Sequence, residues 1–148
     1  MPAFMRPFHS QAYALMRIVV GLLFIWHGTQ KLFEFPGSPP PVPSFVTYIA
    51  GPIELVGGLL VAVGLYAGWA AFFCSGEMAA AYWIAHGTHD LFPIVNGGEL
   101  AVLYCFVFLY IAAQGSRIWS VDAARGPVTP NIHYSESEWQ IRSKERVM

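Results

Sequence analysis

Seven residues that carry or exchange charge interrupt runs of sequence that are otherwise apolar: Arg17, His27, Lys31, Glu54, Glu77, His86 and Glu99. Imidazole exchanges protons near neutral pH and ligates metals, a carboxyl group can do both, and an ammonium donates hydrogen bonds to carbonyl or carboxylate oxygen. The set therefore holds the groups needed for proton exchange or for gripping a small polar ligand. His27, His86, Glu54 and Glu99 are also the candidate ligands of a metal or haem, although no short ligand motif links them.

The positions of these groups depend on the elements that carry them. With 55% hydrophobic and 11% charged residues over 148 positions, the chain has too little polar surface for a soluble globule, and one membrane domain is the natural reading. The net charge of -1 and the lack of a long basic run point away from nucleic acid as a partner and leave the lipid bilayer as the main one. Apolar stretches predict helices at about 12–33, 48–65, 69–85 and 99–113, the first near the roughly 20 residues that cross a hydrocarbon core. Pro36-Gly37-Ser38-Pro39-Pro40-Pro41-Val42-Pro43 cannot be helical and makes a stiff loop outside the membrane. Pro52 sits either in the first turn of the second helix or at a kink within it. The connection Tyr66-Ala67-Gly68 is so short that the third helix must return antiparallel beside the second.

The fold expected is all-α, an integral membrane four-helix bundle running up-down-up-down. Residues 1–122 form the transmembrane domain, and 123–148 a polar tail. Arg6 precedes the first helix, and Arg117, Arg125, Arg142, Lys144 and Arg146 follow the fourth, while the two loops at the far end carry no Lys or Arg. Cytoplasmic flanks are enriched in these cations, so both termini are predicted cytoplasmic in a multi-pass protein of the bacterial inner (plasma) membrane. Tyr66, Trp69 and Trp119 mark the inner interface, and Tyr48, Tyr82 and Trp83 the outer one.

Chain direction then sets depth. His27 and Lys31 end the first helix, Glu54 starts the second, His86 ends the third and Glu99 starts the fourth, so all five are expected in the outer half as ligand-binding or proton-exchange candidates. Arg17 lies on the inner side and Glu77 near the middle, as structural charges. At roughly 100° per residue, Arg17, Gly21, Phe24, Gly28 and Lys31 share one stripe of the first helix, with His27 at its edge. Glu77 is expected on a face with Ala80, Ala81 and Ile84, half a circle from His86 unless the helix ends before it. A buried charge at mid-membrane costs about 2.5–3.5 kcal/mol, so these groups should face one another or a cavity. The competing reading is structural: Arg17, Lys31 and one proton neutralise three glutamates, and the network fixes helix register. His89, Asp90 and His133 read as solvated loop residues, and Cys74 and Cys105 as buried packing, with a disulfide between them left open.

The run Arg17-Ile18-Val19-Val20-Gly21-Leu22-Leu23-Phe24-Ile25-Trp26-His27-Gly28-Thr29-Gln30-Lys31-Leu32 resembles the opening helix of the DoxX family, where an arginine, a glycine and an HG-x-x-K element recur. Matching segments follow in order: Gly51-Pro52-Ile53-Glu54-Leu55-Val56-Gly57-Gly58, Gly76-Glu77-Met78 with Ala81-Tyr82 and His86, Asn96-Gly97-Gly98-Glu99-Leu100-Ala101, and Gly115-Ser116-Arg117 with Trp119-Ser120-Val121-Asp122. The resemblance spans Leu15 to Asp122; the proline-rich loop and the tail depart from it. It implies a four-helix inner-membrane protein akin to a small subunit associated with quinol oxidase and thiosulfate:quinone oxidation, hence an oxidoreductase component. Other members resemble parts of redox-stress complexes or membrane chaperones.

Two main functions compete. One is a quinone-linked redox accessory, working with a membrane redox partner, in which His27 or Lys31 bonds a quinone carbonyl and a glutamate exchanges protons. The other is a non-enzymatic scaffold, chaperone or small-solute binder, whose glycine-rich helix faces suit association with a partner or with a second copy in a homo-oligomer. The metal or haem site is a third, lesser reading.

Overall fold

A computed structural model describes residues 3–38 and 43–126, so part of the proline-rich loop and most of the tail, with His133, Arg142, Lys144 and Arg146, lie outside the described residues. The described chain is helical, with no strand among the described residues. Four long helices carry it: α1, His9–Phe33; α2, Ser44–Val63; α3, Ala67–Ala85; and α4, Glu99–Gln114.

Pro52 lies inside α2, and a π turn, Ile53–Gly57, follows it directly. Proline has no amide hydrogen to donate to the preceding turn, and a wider turn is one way a helix absorbs that loss without breaking. The π turn carries Glu54, which is 2% exposed. Gly64, at φ +71°, then stops α2: its amide bonds Leu60 and Val61 carbonyls while Leu65 N–H reaches back to Leu60 O at 3.0 Å. This is the two-bond glycine stop that satisfies the last carbonyls of a helix, and it turns the chain into α3 within three residues.

Helix α1 packs along α2, the Ile53–Val63 part of α2 against α3, and α3 along α4. The buried residues of α1, Tyr13, Ala14, Arg17, Gly21, Phe24 and Gly28, include the stripe read from the sequence apart from Lys31, which is half-buried. Glycine is required at two of them. A Cβ on Gly21 would lie 2.6 Å from Ala62 N, and one on Gly28 would meet the backbone of Leu55 and Gly51, so α1 and α2 touch backbone to backbone. Phe24 fills the centre, its ring 4.6 Å from that of Phe108 and 5.5 Å from that of Tyr104, which joins α1 to α4.

The distribution of side chains is inverted relative to a water-soluble globule. Arg17 is fully buried and Glu54 nearly so, while Leu22, Leu23, Trp26, Leu59, Phe72, Phe73, Leu103 and Phe106 are exposed on the outside. Two helical stretches, Phe4–Phe33 and Ser44–Val63, are long and apolar enough to cross a membrane. The other two expected spans do not meet that measure: α4 has 16 residues, and α3, though 19 residues long, carries Glu77, Ser75 and three glycine or tryptophan positions in its first ten.

At the end of the helices that carries the turn between α2 and α3, Arg17 closes the structure. Its guanidinium donates to the carbonyls of Val61, Ala62 (2.9 Å) and Trp119 (2.7 Å), placing a cation at the C-terminal carbonyls of α2. Asp122 accepts from Tyr66 N–H at 2.8 Å and from the Ser116 hydroxyl, so the Gly115–Asp122 stretch is latched over the turn between α2 and α3. Arg17 therefore binds carbonyls and no glutamate, unlike the neutralising role expected of it.

Candidate ligand pocket

A cavity of about 280 Å³ opens between the helices at the end away from the turn between α2 and α3. Four of the expected residues line it: His27 and Lys31 from α1, Glu54 from the π turn, and His86 from the end of α3. Phe24, Met78, Leu100 and Tyr104 supply apolar walls. Lys31 Nζ donates to both carboxylate oxygens of Glu54, each at 2.7 Å, in a pair whose side chains are 18% and 3% exposed. Each charge needs the other, because neither could be held in so dry a place alone.

Glu77 also lines the cavity, and its Oε2 is buried with no hydrogen-bond partner. The expectation of a merely structural charge near the middle is revised by this. Its companions on the cavity wall are Ala81 and Ala85, one and two turns on, whereas Ala80 and Ile84 face outward. Glu77 and His86 can share a site because α3 ends at Ala85: His86 leaves the helix at φ −126°, which turns its ring back toward the cavity. The expected half-circle between them applies only to an unbroken helix.

Asn96 holds His86 in place. His86 Nδ1–H donates to the Asn96 carbonyl at 2.9 Å, the ring stacks on Tyr82, and a carbonyl partner fixes the tautomer with Nε2 as acceptor when the ring is neutral. The Asn96 side chain accepts from Gly98 N–H at 2.7 Å and donates to Asp90 O at 2.7 Å and Tyr82 Oη at 3.2 Å, which ties the α3–α4 connection to the start of α4. His27 meets Tyr104 edge to face with ring centres 5.9 Å apart. Asp90 and His89 are exposed, and Asp90 serves its own turn by accepting from Phe92 N–H at 2.9 Å.

Glu99 does not join the cluster. It is exposed, because the buried face of α4 runs through Ala101, Tyr104, Phe108 and Ile111, and Glu99 stands two residues before Ala101, about 200° round the helix. Its carboxylate instead meets the positive end of the α4 dipole at the first turn. Among the described residues no three His, Cys, Asp or Glu side chains are grouped to hold a metal ion, so His27, His86, Glu54 and Glu99 do not form the metal shell considered from their types. The cavity is also small for a porphyrin. Cys74 and Cys105 are both free thiols.

Sequence reasoning passed over Tyr104 and Asn96 as site residues. Tyr104 stands in an almost wholly apolar run that gives no sign of which face is inward, and Asn96 stands in the turn-rich stretch that leads to Gly97-Gly98 and the fourth helix.

The DoxX family model matches residues 12–87, about half of the chain. The chain belongs to the DoxX family. All five ionisable residues of the cavity lie within the matched stretch. This DoxX protein is similar to an uncharacterized protein of Haemophilus influenzae, 46% identical over 116 residues that cover 74% of this chain and 87% of the relative. It is also similar to a Bacillus subtilis protein named "Putative oxidoreductase CatD", 33% identical over 116 residues, 73% of this chain and 82% of that one. No solved structure matches the DoxX chain significantly.

Proposed function

We propose that this DoxX protein is a multi-pass protein of the bacterial inner membrane, its four helices crossing antiparallel with both termini cytoplasmic, and that it serves as a quinone-linked accessory to a membrane redox partner. The outward apolar surface, the buried Arg17 and Glu54, and the cations near the termini support the topology. The single observation behind the ligand is the combination of ring-lined apolar walls with one buried, unpartnered carboxyl oxygen, Glu77 Oε2. A buried polar atom without a hydrogen-bond partner costs free energy that a ligand hydrogen bond would recover.

A quinone would supply a two-electron, two-proton couple, its electrons exchanged with the partner. Phe24, Met78 and Tyr104 would wall the ring, and Glu77 would pass the two protons one after the other between the ring oxygens and the outer face. His27 and His86 line the same cavity, and Lys31, paired with Glu54 through two N–H groups, would donate its third to an oxygen of the ligand.

The scaffold reading keeps one observation of its own: the Lys31–Glu54 pair is fully matched, and glycine contacts lock α1 to α2. The discriminating experiment is purification in mild detergent followed by solvent extraction and quinone analysis. Quinone at a fixed ratio to protein, strongly reduced in Glu77→Leu and kept in Glu99→Gln, is the expected result. A quinone-free preparation that also fails to take up added ubiquinone-1 or menadione leaves the scaffold as the function.

A further inference from the structure

A second cavity, about 550 Å³, lies at the opposite end of the molecule and shares no residue with the first. It is lined by Met5, His9, Ser10, Tyr13, Tyr110 and Arg117 among others, so its floor is aromatic and thioether while its rim carries a cation and small donors. We propose that this cavity binds a phosphate ester anion, the headgroup of an anionic phospholipid, with Arg117 as its principal ligand.

Three observations carry this. First, Arg117 has an unused donor edge: its Nε and Nη2 donate to Gln114 O (3.1 Å) and Gln114 Oε1 (2.7 Å), which orients the planar group and leaves Nη1 without a hydrogen bond among the described residues. A guanidinium held in that way presents N–H donors to phosphate oxygens. Its backbone is at φ +53°, a conformation that non-glycine residues seldom adopt, fixed here by the Ser120 hydroxyl donating to the Arg117 carbonyl at 2.6 Å. Second, Ser10 and His9 line the same rim: His9 Nδ1–H donates to Arg6 O at 2.9 Å, so His9 Nε2 accepts from the Ser10 hydroxyl at 3.0 Å, a rotatable O–H that would turn from the ring to an anion's oxygen.

Third, the surroundings place the cavity at a membrane interface. The single 3₁₀ stretch Ala3–Phe8 exposes Phe4, Met5 and Phe8 beside Arg6, an apolar edge with a basic flank. Tyr66, Trp69 and Trp119, all exposed, lie at the same end of the helices, the depth at which amphipathic rings meet headgroups. Phosphate, acyl stem and interface therefore coincide: the rim takes the anion, and Met5, Met16 and Tyr110 line the path of the glycerol and first methylenes. A free phosphate ion would use only the rim.

The test is native mass spectrometry of the full chain released from mild detergent, with dioleoyl phosphatidylglycerol, dioleoyl phosphatidylcholine or inorganic phosphate added. Phosphatidylglycerol should bind about fivefold more tightly than phosphatidylcholine, in keeping with the contribution of one interfacial arginine. Arg117→Asn, which keeps a residue tolerant of positive φ while removing the charge, should abolish that preference. Arg125→Asn, outside the cavity, should leave it intact. Equal binding of the two lipids by the native chain overturns the site, as does an unchanged preference in Arg117→Asn. Inorganic phosphate that displaces the lipid at equal concentration overturns the lipid as occupant.

Discussion

Lys31 and Glu54 meet through two 2.7 Å hydrogen bonds from one ammonium to both carboxylate oxygens, joining the end of α1 to a π turn in α2. The pair has one geometry and little water, so its halves are interdependent. Lys31→Met or Glu54→Leu alone should each cost about 3–5 kcal/mol, whereas the double variant should recover most of the loss. Thermal melting in detergent checks this, and additive losses would show the two side chains to be independent.

Gly28 and Gly76 are both helical glycines with opposite surroundings. Gly28→Ala forces a methyl into the backbone of Leu55 and Gly51, while a Cβ on Gly76 meets nothing within 4 Å. Gly28→Ala should destabilise by at least about 1–3 kcal/mol, and Gly76→Ala should stabilise by about 0.5–1 kcal/mol through backbone entropy. The order of the two melting temperatures is the readout.

Arg17 satisfies carbonyls of α2 and of Trp119 at once. Arg17→Lys keeps the charge but replaces a planar fork by a point donor, and it should release the Gly115–Asp122 latch. Limited proteolysis near Arg117 and Arg125 should accelerate several-fold. Cleavage at the native rate would mean that Asp122, through Tyr66 and Ser116, holds the latch without Arg17.

Asn96 organises the α3–α4 connection with its side chain and His86 with its carbonyl. Asn96→Ala strips three hydrogen bonds and should cost about 1–3 kcal/mol, with faster amide exchange at Gly98 as its local signature. Unchanged exchange at Gly98 would place the effect elsewhere.

Glu77→Leu removes the hydrogen-bonding carboxyl group at similar volume, so the fold should persist while retention of quinone falls by about tenfold, the worth of roughly one hydrogen bond to an acidic group. Glu99→Gln serves as the control, since its side chain faces outward. Equal quinone content in both variants would remove Glu77 from the site.

The sequence by itself determined the helical class, the apolar stretches, the α1 stripe and the family, because period, proline and glycine punctuation and local motif order are properties of short segments. Depth was legible as well: chain direction alone gathered His27, Lys31, Glu54 and His86 at one end. What only the tertiary structure decided is azimuth and partner. A π turn after Pro52 aims Glu54 at Lys31, the stop at Ala85 turns His86 to the side that Glu77 faces, and the phase of α4 carries Glu99 outward. Each depends on where a helix changes pitch or ends, a matter of one residue and about 100° that packing between helices fixes and composition does not.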